Sequence, residues 1–331
     1  MSEATAALGR ANEARWVVEA ASGLGAAEMA LALDECASAL AVASCEDMVR
    51  RRVLGEPLQY VLGRWGFRGL ELLVDRRVLI PRPETEVVVE VARGELEVLR
   101  EIHQAAARQA AARQAPARQA AARPAAAGPP ALVAVDLGTG SGAIALALAA
   151  EEPGLDVWAT DASADALAVA RANLAGIGAR SAARVQLVQG DWYEALPMGL
   201  EGQVDLIVSN PPYVSEPEEA ELPVEVAGWE PHSALVAGPS GLESIRAVVG
   251  GALRWLRRPG GLVVEIAPDQ VADAVALACT ASFSHAEVRA DLAGRPRVLV
   301  ARVGGAGKWR VGGHGGVAHG AQFLRRPASY T

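Results

Sequence analysis

The chain has 331 residues, is 51% hydrophobic and carries a formal net charge of −8. It contains no uncharged apolar run long enough to span a bilayer, and its first residues lack the apolar core of a signal peptide. Its three scattered cysteines match neither a metal-binding spacing nor a disulfide framework. We therefore expect a cytoplasmic protein with no membrane partner and no bound metal.

Two tracts concentrate positive charge. Residues 103–130 carry four arginines and no acid, and residues 304–331 carry four basic residues and no acid. Without these eight charges the rest of the chain carries −16. A body this acidic would repel a phosphate backbone, so nucleic acid is not expected as a direct partner.

Residues 1–62 are predicted to form a domain of short amphipathic helices, because apolar side chains recur there at helical spacing. Ser44 and Asp47 are expected to cap the third helix, and Pro57 is expected to start the fourth. Residues 63–80 then carry the pattern of a β-hairpin, which is expected to link this domain to the next.

A larger domain is predicted over residues 81–303. Its first helix opens at Pro83 with acids in the first turn, and it runs into four pentapeptides of the Gln-Ala-Ala-Ala-Arg type within residues 103–130. A five-residue period gives no continuous helical stripe, so this segment is expected to be a low-complexity surface insertion, partly helical. The glycine-rich residues 304–331 are expected to form a flexible tail.

A glycine-rich turn follows the first predicted strand of this domain, Leu132–Val135, and leads into a helix that starts at Ala143. Glycines let a ligand approach the backbone closely, and a helix N-terminus favours polar or anionic groups. The candidate ligand-binding residues of the turn are Asp136, Gly138, Thr139, Gly140, Ser141 and Gly142.

A second predicted strand, Val157–Thr160, ends in Asp161, whose carboxylate suits two ribose hydroxyls. The third glycine of the turn comes one residue earlier than in the dinucleotide-binding motif, and Asp136 would repel a pyrophosphate. A carboxylate at that position suits a cationic ligand instead. S-adenosylmethionine, a sulfonium nucleoside, therefore fits the pattern better than NAD.

A third predicted strand, Val185–Gln189, is followed by Asp191 and Trp192. These two side chains could bracket an adenine, the acid by a hydrogen bond to the amino group and the indole by stacking. The alternative is that Trp192 is an aromatic residue of the core or its rim.

A fourth predicted strand, Val204–Ser209, ends in Asn210, Pro211, Pro212 and Tyr213. The prolines remove two N–H donors and push Asn210 into an extended conformation. The Asn210 side-chain oxygen and the Pro211 carbonyl are then free to accept from an –NH2 group, and Tyr213 offers a flat face to the conjugated plane behind it. A plain proline-rich turn is the alternative. In open α/β sheets ligands bind at the carboxyl ends of strands, so the four strand ends predict one site.

Beyond Tyr213 the patterns predict a helix, a strand, a second helix and two closing strands. Their expected bounds are about Leu242 to Leu256, Leu262–Ile266, Ala272–Ala281, 285–290 and 297–302. The fold class is therefore α/β: a Rossmann-like, seven-stranded sheet of the class I S-adenosylmethionine-dependent methyltransferase kind, with a small N-terminal helical domain.

Several motifs together carry a family resemblance over roughly residues 5–102 and 131–302. They are Gly55–Tyr60, the hairpin, Leu79–Glu86, Asp136–Gly142 and Asn210–Tyr213. In these motifs the chain resembles the bacterial peptide chain release factor glutamine N5-methyltransferases. The resemblance implies methyl transfer from S-adenosylmethionine to the glutamine side-chain nitrogen in the Gly-Gly-Gln motif of peptide chain release factors.

The resemblance also implies roles for residues. It places the family's cofactor residues at Gly138–Gly142, Asp161, Trp192 and Asn210, and its substrate and catalytic residues at Asn210–Tyr213. The helical domain, residues 1–62, would grip the rest of the release factor. Two departures from the family pattern, Ala267 and Pro296, lie outside the catalytic motif and affect only details of the second half.

Three other functions are alternatives for these motifs. The sister enzymes that methylate ribosomal protein L3 share Asn-Pro-Pro-Tyr but differ after the Pro-Arg of Leu79–Glu86. DNA adenine N6-methyltransferases share only the tetrapeptide and need a recognition domain that this chain lacks. A non-catalytic adaptor that binds release factors is the alternative from a different class, but an adaptor has no need for Asn210, Asp161 and the glycine turn together.

Overall fold

The structure is a computed structural model that describes residues 2–32, 35–114 and 131–304. The N-terminal part consists of five helices: α1 (Ser2–Leu8), α2 (Ala11–Ser22), α3 (Ala26–Leu31), α4 (Ala39–Val53) and α5 (Leu58–Leu62). Helices α1, α2 and α4 pack on one another around Ala14 and Val17, both fully buried. The expected cap at Ser44 is wrong. Ser38 caps α4 instead, accepting from the Ala41 N–H at 3.1 Å, so the helix starts before Ser44.

A β-hairpin connects these helices to the larger domain. Its strands are β1 (Arg64–Phe67) and β2 (Leu70–Leu73), paired antiparallel as expected. The turn between them is Arg68-Gly69, both at positive φ. Phe67 and Leu72 from the hairpin are almost fully buried in the core of the larger domain. The hairpin is therefore packed as part of that core.

A single long helix, α6 (Pro83–Gln114), follows. Val88, Val89, Ala92, Leu96 and Leu99 recur at helical spacing and are completely buried, which explains why this face packs on the sheet. The helix continues past residue 103 into the predicted insertion, because alanine, glutamine and arginine are strong helix formers even without an apolar stripe. Residues 115–130 lie outside the described residues, as do residues 305–331 of the predicted tail.

The centre of the larger domain is a seven-stranded sheet, as the sequence predicted. Its strands are β3 (Leu132–Leu137), β4 (Leu155–Asp161), β5 (Val185–Gln189), β6 (Val204–Ser209), β9 (Leu256–Glu265), β10 (His285–Ala290) and β11 (Pro296–Val303). The order is β10-β11-β9-β6-β3-β4-β5, and β11 pairs antiparallel with both of its neighbours. Strand β9 begins at Leu256, earlier than predicted, because only its apolar second half shows a strand pattern in the sequence.

Helices and a short parallel pair complete the domain. They are α7 (Ala143–Glu151), α8 (Ala164–Leu174), α9 (Ala179–Ala182), β7 (Val214–Ser215), α10 (Glu216–Glu219), α11 (Val224–Ala227), α12 (His232–Leu235), β8 (Val236–Gly238), α13 (Glu243–Trp255) and α14 (Val271–Thr280). Alternate residues of the sheet strands bury on opposite faces, so Leu206 and Val208 join one core layer and Ile207 joins the other. In the described ranges the chain forms no helix with the length and apolar character that a membrane crossing requires.

Candidate active site

A cavity of about 460 Å³ opens where β3, β4, β5 and β6 end. This volume lies in the range of ordinary small-molecule sites. Eight of the predicted cofactor-binding residues line it: Gly138, Thr139, Gly140, Ser141, Asp161, Asp191, Trp192 and Asn210. Pro212 lines it as well. The four strand ends therefore meet at one site, as the sequence predicted from their positions in the sheet.

The glycine turn that ends β3 forms one wall of the cavity. The backbone N–H groups of Gly138 and Thr139 both donate to the Thr160 carbonyl at 2.9 Å, which ties the turn to β4. Gly142 does not line the cavity but caps α7 with φ 85°, and a Cβ there would lie 3.0 Å from the Leu146 side chain. Glycine is needed at this position for both its conformation and its space.

Asp136 lies behind the turn rather than in the cavity wall, and it is completely buried. Its Oδ2 accepts from the Thr139 hydroxyl at 2.7 Å and from the Ala145 N–H at 3.1 Å. Burial outweighs these hydrogen bonds and raises the pKa of the Asp136 carboxyl to about 7. Its Oδ1 has no hydrogen-bond partner among the described residues. The carboxylate thus ties the end of β3 to the first turn of α7.

Asp161 ends β4 and faces the cavity. Its Oδ2 accepts from the Gly140 N–H at 2.8 Å, and its Oδ1 accepts from the Ser163 N–H at 2.9 Å. Burial raises the pKa of this carboxyl, and the two backbone hydrogen bonds oppose that rise. Each oxygen keeps a further lone pair, so the fixed carboxylate can accept two more hydrogen bonds from a ligand in the cavity.

Asp191 and Trp192 follow β5 and lie on the same side of the cavity as the glycine turn. Trp192 has φ 43°, which is uncommon for a residue other than glycine. Its carbonyl accepts from the Thr160 hydroxyl at 3.1 Å. A Cβ added at Gly138 would lie 3.7 Å from the indole, so the ring stands beside the turn at van der Waals distance. This arrangement gives the cavity a flat aromatic surface.

Asn210 follows β6 and also lines the cavity. Its Nδ2 donates to the Thr85 hydroxyl at 3.1 Å, and that hydroxyl donates to Glu265 Oε2 at 2.8 Å. Thr85 is in the first turn of α6 and Glu265 is the last residue of β9, so three distant segments meet here. In the sequence, Thr85 is only part of the family motif Leu79–Glu86 and Glu265 had no predicted role, so this contact was not predicted.

Pro211 and Tyr213 are not in the wall of the main cavity. Pro211 is buried, and the Tyr213 carbonyl accepts from Gln270 Nε2 at 2.9 Å. The Tyr213 ring lies at a second cavity of about 250 Å³, and burial raises the pKa of its phenol to about 12. This second cavity is also lined by Arg82, Glu84, Glu265 and Arg297. The tetrapeptide therefore separates two cavities.

The segment 77–81 also lines the main cavity, through Arg77, Val78, Leu79 and Pro81, and the sequence did not predict this role. Glu230 holds this segment: its carboxylate accepts from the Ile80 N–H at 3.2 Å and from Arg82 at 2.5 Å. The Arg76 guanidinium stacks 3.9 Å from the centre of the Trp229 ring. The sequence of residues 76–82, three apolar residues and a proline between basic residues, has no periodicity that predicts this placement. Among the described residues there is no group of three metal-ligating side chains.

Comparisons with known proteins agree with this geometry. Residues 128–225 match the family model "Methyltransferase small domain", and residues 2–63 match "PrmC N-terminal domain". The fold is similar to the hMettl16 catalytic domain crystallised with a MAT2A 3′UTR hairpin, with a TM-score of 0.51 and 16% identity over 78% of this chain and 82% of that one. The chain is a class I methyltransferase by fold.

Curated relatives narrow the class to a family. The release factor glutamine methyltransferase of Cereibacter sphaeroides is 35% identical over 88% of this chain and 91% of the relative. That of Xylella fastidiosa strain 9a5c is 39% identical over 81% of this chain and 84% of the relative. The chain belongs to the release factor glutamine methyltransferase family. The fold and the family imply S-adenosylmethionine as the methyl donor.

Proposed function

We propose that this chain methylates the side-chain amide nitrogen, N5, of the glutamine in the Gly-Gly-Gln motif of peptide chain release factors. The observation that carries the proposal is the placement of Asn210 in the wall of the cavity that the glycine turn, Asp161 and Trp192 also line. A cofactor wall and an amide-binding wall thus face the same space. The cytoplasm, where translation ends, is the proposed compartment.

The residues on the cofactor side fit S-adenosylmethionine. Asp161 has free acceptor capacity for two ribose hydroxyls, and Asp191 with Trp192 can hold an adenine by a hydrogen bond and by stacking. Glycines at 138 and 140 leave room for the nucleoside beside the backbone. Asp136 would act from behind the turn by holding it in place. The bound cofactor supplies an electrophilic methyl group on a positively charged sulfur.

The residues on the substrate side fit a primary amide. An amide nitrogen is a weak nucleophile because its lone pair is conjugated with the carbonyl. Of the two predicted acceptors, Asn210 lines the main cavity and Pro211 does not. The Asn210 Oδ1 would accept from one N–H bond, aim the nitrogen at the methyl group and stabilise the positive charge that grows on it. The bond from nitrogen to methyl would form as the methyl–sulfur bond breaks, and the sulfur would leave as a neutral thioether. The nitrogen would then lose one proton to water, which needs no strong base beforehand.

The helices α1–α5 are proposed to contact the rest of the release factor. Leu40, Val53 and Leu54 on α4 and just after it are largely exposed, which suits a protein partner more than solvent. With two proposed contacts, the glutamine at the cavity and the helices away from it, we expect a whole release factor to be a better substrate than a short peptide.

The test is transfer of a labelled methyl group. Purified protein is incubated with labelled S-adenosylmethionine and a release factor, the same factor with Gly-Gly-Gln changed to Gly-Gly-Ala, ribosomal protein L3, or DNA. We expect label only in the intact release factor, at its glutamine by mass spectrometry. Label in ribosomal protein L3 or DNA but not in the factor would overturn the proposal, and cofactor binding without transfer to any of them would support an adaptor.

A further inference from the structure

The group behind Asn210 is a carboxylate that the proposed mechanism does not use. Glu265 is 1% exposed at the end of β9, and among the described residues it makes no ion pair. Its Oε2 accepts from the Thr85 hydroxyl, and Thr85 is itself buried. Burying a carboxylate is costly unless it is paired or hydrogen-bonded, and the hydrogen bond of Glu265 comes from Thr85. Only Thr85 lies between Glu265 and Asn210 in this series of hydrogen bonds, so the buried carboxylate can influence the Asn210 side chain.

Asn210, Thr85 and Glu265 form a hydrogen-bond chain, and the donors available in it fix its direction. An ionised carboxylate only accepts, so the single hydroxyl proton of Thr85 must point to Glu265. The Thr85 oxygen can then only accept, and the group of Asn210 that donates is its Nδ2. The amide of Asn210 is thereby held with Nδ2 towards Thr85, and its Oδ1 is left for the cavity. A substrate –NH2 group offers donors only, so Oδ1 is the atom it needs.

We propose that Thr85 and Glu265 are positioning residues, which hold the Asn210 amide in the one orientation that accepts a hydrogen bond from the substrate nitrogen. This inference rests on the proposed function, because it assumes that an amide nitrogen occupies the cavity next to Asn210. If the hydrogen bonds of this chain ran in the opposite direction, Asn210 would turn its N–H donors towards that nitrogen and repel it.

The surroundings of Glu265 make the orientation dependent on pH. The pKa of the Glu265 carboxyl is raised to about 7, chiefly by burial. The Thr85 hydrogen bond and the charges of Arg297 and Arg82 oppose this rise, and the charge of Glu84 adds to it. Tyr213 faces the second cavity, which Glu265 also lines. Above this pKa the ionised carboxylate enforces the productive direction. Below this pKa the protonated carboxyl can donate to the Thr85 hydroxyl. The hydrogen-bond chain can then run in either direction, and the Asn210 amide is no longer held in one orientation. Methyl transfer should therefore weaken as pH falls through about 7.

The first experiment replaces the hydroxyl. Thr85→Val keeps the shape of the side chain but breaks the chain, whereas Thr85→Ser keeps the hydroxyl. We expect kcat for release-factor methylation to fall about tenfold in Thr85→Val, the effect of one net hydrogen bond, and to return to within about twofold in Thr85→Ser. Calorimetric affinity for S-adenosylmethionine should stay within about twofold in both. Thr280→Val, at the exposed end of α14, is the matched control with unchanged kcat.

The second experiment measures kcat between pH 5.5 and 8.5 for the wild type and Glu265→Gln. The wild type should show an acid limb near pH 7, and the variant should lose that limb because its amide does not titrate. An unchanged limb in Glu265→Gln, or a fully active Thr85→Val, would overturn the positioning role alone. A wild type that binds cofactor but transfers no methyl group to the release factor would overturn the proposed function and this inference with it.

Discussion

The two walls of the cavity are built in different ways. On the cofactor side, hydrogen bonds join residues that are close in sequence: Thr139 to Asp136, three residues apart, and Gly140 to Asp161, twenty-one apart. On the substrate side, Asn210 bonds to Thr85 across 125 residues, and Thr85 bonds to Glu265 across 180. The first wall depends on adjacent strand ends, and the second depends on three distant segments meeting correctly.

Because of this difference, substitutions should be able to impair cofactor binding and methyl transfer separately. A change within the glycine turn or at Asp161 should weaken cofactor binding with little effect on the amide-binding wall. A change that shifts α6 or β9 should disturb Asn210 while the cofactor wall stays intact. Measuring cofactor affinity and turnover side by side therefore distinguishes the two walls in any variant.

The largest effect is expected from removing the amide of Asn210. Asn210→Ala deletes an acceptor that matters more in the transition state than in the ground state, so kcat should fall about a hundredfold or more, by analogy with the loss of one oxyanion-hole donor. Single-turnover methylation of a release factor measures this, and calorimetry should show cofactor affinity nearly unchanged. Near-normal turnover in this variant would remove Asn210 from the mechanism.

A change at Asp161 should affect cofactor affinity rather than turnover. Asp161→Ala loses hydrogen bonds to the ribose that are each worth roughly 1.5–3 kcal/mol, so the Kd for S-adenosylmethionine should rise at least about tenfold. At saturating cofactor kcat should change much less. Asp156→Ala on the same strand, outside the cavity wall, is the matched control. Equal affinities in the two variants would contradict the ribose assignment.

A smaller effect concerns stability without cofactor. Asp136 has its pKa raised to about 7 in the fold, so between pH 4 and 7 the native state holds a proton that the unfolded chain has lost. Its contribution therefore favours folding at low pH and is lost as pH rises through 7, by about 1.4 kcal/mol per pH unit at most. Chemical unfolding between pH 5 and 8 should show a shallower decline in Asp136→Asn. The same slope as in the wild type and in exposed Asp273→Asn would refute this.

The smallest effect is expected outside both walls. Deleting residues 104–128 removes the low-complexity insertion after His103, whose imidazole lies 3.6 Å from the buried Asp205 and is kept. The removed part of α6 is exposed over residues 105–111, and changing the length of the connection after it costs only about 0.6 kcal/mol per doubling. Cofactor affinity and methylation of an isolated release factor should therefore stay within about twofold. A large loss of transfer with a normal melting temperature would show instead that the arginines take part in substrate capture.

The sequence predicted the cofactor wall better than the substrate wall, because the cofactor wall is built from neighbouring strand ends and the substrate wall from segments far apart in sequence. The glycine turn and Asp161 follow buried strands directly, so the strand pattern alone brings them together. The chain from Glu265 through Thr85 to Asn210 has no local pattern, since Thr85 reads as part of an ordinary helix start and Glu265 as the end of a strand. Only the assembled sheet shows that they touch.

One predicted helix boundary is wrong. Ser44 with an acid three residues on resembles a cap, yet the alanine-rich run from Ala39 extends α4 back to Ser38. The insertion was predicted to be partly helical, and α6 does continue through residue 103 to Gln114, with His103 largely buried. In both places intrinsic helix propensity decided the boundary, which a pattern of caps and stripes does not register.

The length of α6 has a practical use. Thr85 is in its first turn and Arg113 in its last, roughly 42 Å apart along the helix axis at 1.5 Å per residue. Arg113 is exposed, and Cys36 is the exposed cysteine that would compete for a thiol reagent. An Arg113→Cys protein with Cys36 replaced could carry a dye or a surface linker there. Single molecules could then be immobilised and observed through repeated turnovers with the reacting groups left unmodified.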